Sequence, residues 1–191
     1  QLTQGNWEVT ELCGINPKRK ELYYQSVEGG STERKLYSIR LNGKNKKLLQ
    51  GASGTNGAAF SAEGNYYIHS FSSETTPPQY TLIKTRNNRV VRSIQNNEKL
   101  KNRLDSLGFS KREFSTIKVN GESLNMWMIK PADFDPNKVY PLLLFQYSGP
   151  GSQEVSNRWG DERLLWHKNL ANKGYIIACI DGRGTGFRGA K

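Results

Sequence analysis

Residues 21–49 read ELYYQSVEGGSTERKLYSIRLNGKNKKLL, and the same grammar returns in residues 65–94, NYYIHSFSSETTPPQYTLIKTRNNRVVRSI. Each stretch holds a doubled tyrosine in a β-prone run, then an alternating run, then a tight-turn pair and a short apolar run. In Lys35–Leu41, Leu36, Tyr37, Ile39 and Leu41 interleave with polar residues, as one half-buried strand requires. Asn42-Gly43 follows and suits a two-residue hairpin. Pro77-Pro78 predicts a break, and Gln79–Thr85 with Arg89–Ile94 predicts a hairpin about Asn87-Asn88. Working outward, Glu8–Leu12 alternates weakly and Gly57–Phe60 opens the second unit. A repeat of roughly 45 residues with three or four strands per unit marks propeller blades. Two such units cannot close a ring, so residues 1–95 are expected to be the last blades of an incomplete β-propeller.

Residues 96–112 break the rhythm. Glu98, Leu100, Leu104 and Leu107 fall near helical spacing before Gly108, predicting a short linker helix. From residue 113 the grammar changes again. Phe114–Val119 and Glu122–Lys130 flank Asn120-Gly121, a second hairpin signal. Pro141–Tyr147 (PLLLFQY) and Tyr175–Asp181 (YIIACID) are continuous apolar runs, expected to be strands covered on both faces. Between them Glu162–Lys173 reads as a helix, with Trp166 and Leu170 one turn apart and Gly174 as its stop. Strand, helix and strand predict a right-handed parallel crossover. The expected fold is therefore mixed, with antiparallel blades followed by the opening part of an α/β sheet in 113–191.

The formal net charge is +11. The basic residues are scattered through Lys18–Lys20, Lys44–Lys47, Lys99–Arg103 and Lys111–Arg112, without interleaved stacking aromatics, so nucleic-acid binding is not expected. No apolar run approaches the roughly 18 residues of a membrane span. Cys13 and Cys179 lack the C-x-x-C spacing of zinc or thioredoxin-type sites, and no metal or cofactor is expected.

Tyr147-Ser148-Gly149-Pro150-Gly151-Ser152-Gln153 resembles the Y-x-G-P-x-S-Q stretch of dipeptidyl peptidase IV-like enzymes. Asp181-Gly182-Arg183-Gly184-Thr185-Gly186 resembles their D-x-R-G-[ST]-G loop. Trp127–Pro131 and Phe134-Asp135 resemble the strand that enters their hydrolase domain, and Trp7-Glu8-Val9, Tyr23-Tyr24 and Leu36-Tyr37 resemble a late blade. The resemblance runs in order along nearly the whole chain. It implies an α/β-hydrolase opening in 113–191 and a serine exopeptidase that releases N-terminal dipeptides, often after proline. In that fold the triad runs Ser, Asp, His, with the serine in G-x-S-x-G. No serine here has glycine at both flanking second positions, so the triad is expected beyond Lys191 and the isolated chain is expected to be inactive.

The resemblance makes Tyr147 the donor to the tetrahedral oxyanion. A phenol titrates near pH 10 and so stays a donor at neutral pH. From the residues alone, the favoured reading is that Tyr147 merely caps a buried strand with its hydroxyl at the surface. Gly184-x-Gly186-x-x-Gly189 formally matches a dinucleotide fingerprint, but neither the helix nor the acidic residue that it needs can be seen after it. His69 and His167 are expected to be structural or surface residues. Asp181 is expected to orient its loop, and Arg183 has no assigned role. Glu8, Glu33 and Glu154 form no paired-acid pattern. Peptide substrates are the expected partners of the parent enzyme, and open strand edges predict homo-oligomers or domain swapping. The family resemblance points to a bacterial periplasm or cell surface. The competing reading is a non-catalytic propeller-type protein-interaction module.

Overall fold

Alternation of period two sends Tyr23 and Tyr24 to opposite faces of one strand, and both are nearly fully buried. The structure is a computed structural model and describes residues 1–160 and 162–189. Strands β1 (Val9–Asn16), β2 (Glu21–Ser26), β3 (Lys35–Arg40) and β4 (Lys47–Gln50) form one antiparallel meander. Strands β5 (Thr55–Phe60), β6 (Tyr66–Ser73), β7 (Thr76–Lys84) and β8 (Arg89–Gln95) form a second. Tyr23 points to the second meander, where its ring stacks on Phe60 at 4.2 Å and Phe60 stacks on Tyr67 at 4.9 Å. Leu36, Tyr67 and Ile83 complete that shared core. Tyr24 points the other way and packs with Tyr37, Ile39 and Trp7.

The doubled tyrosines thus mean the same thing twice: each marks a strand whose two sides meet different surroundings. On the second meander, however, the far face is open, and Tyr66, Ile68 and Tyr80 stay exposed there.

Pro77-Pro78 does not break the chain as expected. Ser73 pairs with Thr76 across a two-residue turn, and both prolines lie inside β7 where the register slips. Proline is tolerated at such a bulge because no ladder N–H is required of it. Helix α1 (Glu98–Asp105) forms within residues 96–112, where a short helix is expected, and none of its residues is buried. It is tethered by Asn97, whose side-chain amide donates to the Pro78 carbonyl at 2.6 Å.

The third sheet has the order β11-β12-β10-β9. Strands β9 (Glu113–Val119) and β10 (Glu122–Ile129) form the hairpin over Asn120-Gly121, both with positive φ as the turn demands. Strand β11 (Leu142–Phe145), helix α2 (Glu162–Asn172) and strand β12 (Ile176–Ile180) follow. β11 and β12 pair in parallel, the only parallel ladder among the described strands; the sheets are otherwise antiparallel and helices are few.

One expectation is not met within this chain. Among the described residues β11 lies at the edge of the sheet, with Leu142 62% exposed and Leu143 and Phe145 packed on the core. In α2 the buried stripe is Leu164, His167 and Ala171, while Trp166 is 53% exposed. Residues three and four apart share a helix face, and the sheet selected the stripe beside Trp166 rather than Trp166 itself.

Candidate functional site: a tyrosine loop held by the neighbouring sheet

Two residues past the end of β11 lies Tyr147, 60% exposed, at the carboxyl end of a strand in a parallel pair. Its ring lies over Gly149. A Cβ built at Gly149 would stand 3.0 Å from the phenol oxygen and 3.1 Å from Cζ, so the absent side chain is what lets the ring lie down. The loop turns back at once. The Ser152 hydroxyl donates to the Gly149 carbonyl at 2.5 Å, with the Tyr147 carbonyl 3.3 Å away.

Asp181, at the end of β12, pins the chain just past this loop. Its two carboxylate oxygens accept the backbone N–H groups of Glu154 and Val155 at 2.9 and 3.1 Å. The carboxyl is almost fully buried. Burial pushes its pKa up, and those two N–H donors and Arg188 pull it back. The 182–189 loop meets the tyrosine loop directly: Gly186 N–H donates to the Ser152 carbonyl at 2.8 Å. A Cβ at Gly186 would come within 2.9 Å of the Gly151 carbonyl oxygen. Close backbone approach accounts for this glycine without any nucleotide.

Arg34, at the lip of the first meander, reaches both loops. One guanidinium nitrogen donates to the Ser31 and Glu33 carbonyls, each at 3.0 Å. The other donates to Gln153 Oε1 at 2.6 Å. Gln153 returns its amide N–H to the Ser31 carbonyl at 2.7 Å. The guanidinium lies 4.0 Å from the centre of the Phe187 ring. Burial, and then Arg158, push the Arg34 pKa down from its ordinary value, with Glu8 opposing. Asn157 adds a second tie, its N–H donating to the Thr32 carbonyl at 2.8 Å.

His69 lies in strand β6 and His167 in helix α2. His69 Nε2 lies 3.1 Å from Asn56 Oδ1. The Asn56 amide nitrogen already donates to the Arg34 and Ala52 carbonyls, so Oδ1 must accept and the imidazole carries its proton on Nε2. His167 is buried among the rings of Trp127, Phe145 and Trp166. Cys13 and Cys179 are both free thiols. Arg183 is exposed. Glu8 accepts the Gly189 N–H at 2.6 Å, Glu33 accepts from Ser53, and Glu154 lends its carbonyl to the Trp127 indole. Lys191, beyond which the triad is expected, lies outside the described residues. Among the described residues no group of three or more potential ligands could hold a metal ion, and no helix is long and apolar enough to cross a membrane.

Arg34 and Gln153 had no signal of their own in the sequence. Gln153 closes the Tyr147–Gln153 motif without a role there, and Arg34 is one basic residue in a polar turn, 119 positions from its partner.

Residues 1–78 match the family described as the dipeptidyl peptidase IV N-terminal region. The whole chain aligns at 35% identity with a dipeptidyl peptidase 4 of Arthroderma otae and at 34% with that of Trichophyton rubrum, covering 25% of each. The crystal structure of Porphyromonas gingivalis dipeptidyl peptidase 4 superposes with a TM-score of 0.92 at 41% identity, over 98% of this chain and 26% of that one. The chain spans about a quarter of the length of the relatives it matches.

Proposed function

We propose, from the premise that this chain is a dipeptidyl peptidase IV-like segment, that it belongs to a serine exopeptidase releasing N-terminal dipeptides, often after proline. In this reading residues 1–95 are propeller blades, 96–112 a linker and 113–191 the opening of an α/β-hydrolase sheet. The β11–α2–β12 crossover supports the last assignment, because that sheet is built from such units. Ligands in open α/β sheets bind outside the carboxyl ends of the strands, which is where Tyr147 stands. The nucleophile and its Asp and His partners come from protein outside this chain. Residues 1–191 alone are then inactive toward peptides.

Tyr147 supplies the phenol O–H that the carbonyl oxygen of the scissile bond accepts as negative charge builds on it. Such a donor helps only if it is already aimed when the charge forms. The observation that carries the reading is an exposed phenol laid against Gly149 on a loop fastened by Asp181 and Gln153.

The test is product analysis. The full-length protein is incubated with a decapeptide whose second residue is proline, and the products are weighed by mass spectrometry. Release of the intact N-terminal dipeptide, abolished by N-acetylation of the substrate and by a serine-directed fluorophosphonate, is expected. Cleavage at internal bonds, or none, overturns the reading.

A further inference from the structure

We infer that Arg34 is a positioning residue for the reaction, holding the Tyr147 loop and the 182–189 loop in one fixed arrangement from the neighbouring sheet. This rests on the proposed role of Tyr147. Arg34 touches neither the phenol nor any reacting atom, and it acts through Gln153 and Phe187.

The contacts divide its guanidinium into an anchored half and a working half. The anchored half is fixed to the Ser31 and Glu33 carbonyls of its own turn. The working half donates to Gln153, the last residue of the loop that begins at Tyr147. Gln153 bonds back to Ser31, so the pair closes a ring that a rotated side chain on either partner would break. The flat face of the same guanidinium covers Phe187. Phe187 has a φ of 68°, in the left-handed region where a bulky side chain is strained. Such a backbone persists only where surrounding contacts over-determine it. Here the stacked guanidinium is one of them, and the Gly186–Ser152 hydrogen bond beside it passes that constraint to the tyrosine loop.

A lysine cannot replace this. Its ammonium is a point charge without the planar fork that serves two carbonyls, an amide oxygen and a ring at once. Removing the fork frees the loop that follows β11, and with it the Gly149 surface against which the Tyr147 ring lies.

The test compares Arg34→Met, Arg34→Lys, Tyr147→Phe and the double variant Arg34→Met/Tyr147→Phe in the full-length protein. Asn125→Ala is the control; it removes the 2.8 Å bond to the Ser31 hydroxyl in the same interface without touching the tyrosine loop. Misplacement of a reacting group by about 1 Å can cost on the order of 100-fold. Arg34→Met is therefore expected to lower kcat by roughly 10- to 100-fold with KM nearly unchanged, and Arg34→Lys is expected not to restore it. In the Tyr147→Phe background the same change should cost less than about twofold, because there is no donor left to misplace. Amide exchange in residues 148–153 and 182–187 should quicken in Arg34→Met and not in Asn125→Ala.

Equal losses in both backgrounds, or an Asn125→Ala loss as large as that of Arg34→Met, would reduce Arg34 to a structural contact. Unchanged kcat in Arg34→Met, or unchanged exchange in both loops, also overturns the inference. If Tyr147→Phe alone keeps wild-type kcat, the oxyanion reading falls first, and the result is told apart from these.

Discussion

Glu74 and Arg112 meet in a buried ion pair, Oε2 to Nε at 2.5 Å, although 38 residues separate them. Glu74 comes from the turn between β6 and β7, and Arg112 from the residue before β9. The other carboxylate oxygen accepts from Arg112 N–H at 3.0 Å and from Lys168 Nζ of α2 at 2.9 Å. Arg112 spends its remaining reach on the Arg158 carbonyl at 2.6 Å. One carboxylate therefore joins the second meander, the start of the third sheet and its helix.

Breaking a buried pair from one side leaves a charge without its partner, which typically costs about 3–5 kcal/mol. Glu74→Ala is expected to destabilise the full-length protein by that order, read from urea unfolding. Replacing Glu74, Arg112 and Lys168 together by methionine should cost less than the single change, because no stranded charge remains. A triple variant weaker than Glu74→Ala would contradict this account of the cluster.

Gly149 can be tested separately from Tyr147. The 3.0 Å approach of a built Cβ to the phenol oxygen means that Gly149→Ala must displace the ring. The ring is exposed and can swing away at little energetic cost. The thermal midpoint should therefore hold within about 2 °C, in line with a surface change of less than 0.5 kcal/mol, while kcat falls at least 10-fold, as expected for a misplaced donor. Loss of stability with kcat intact would show that the ring does not work from where it lies.

His69 should make stability fall in mild acid. Burial pushes its pKa down to about 4, from an ordinary 6.5. The unfolded chain thus binds a proton below about pH 6.5 that the folded chain refuses until about pH 4. The contribution is fully present above pH 6.5 and is lost as pH falls toward 4. For a group still partly exposed it amounts to no more than about 3 kcal/mol. His69→Gln keeps a donor for Asn56 and removes the titration. The gap between wild type and variant should close or reverse between pH 7 and pH 4.5, measured by thermal midpoint. A pH-independent gap would exclude this histidine.

Both thiols should be inert while the protein is folded. Burial pushes Cys13 and Cys179 up to about 12, helped by Glu11 beside the first and Asp181 beside the second. Thiolate is the reactive form, and at pH 8 almost none is present. Peptide mapping after iodoacetamide treatment should find both residues unlabelled natively and labelled in urea. Rapid native labelling of either would contradict the packing described.

Much of the fold is local and so was legible. The doubled tyrosines, the Asn42-Gly43 and Asn120-Gly121 turns and Gly174 each act through their own backbone or the next strand. Pro77-Pro78 misled because a bulge tolerates what a ladder forbids, and a bulge is set by the partner strand. At the candidate site Tyr147 and Asp181 stood out at the ends of apolar runs. Arg34 did not, since its meaning lies in Gln153 and Phe187, more than a hundred residues away. Long-range polar contacts leave no periodicity to read.

The account depends above all on what the Tyr147 hydroxyl does. The direct measurement is kcat and KM for a Gly-Pro chromogenic dipeptide in the full-length protein and its Tyr147→Phe variant. Loss of one oxyanion donor predicts a fall in kcat of about 100- to 1,000-fold with KM little changed. A variant that turns over at the wild-type rate would contradict it.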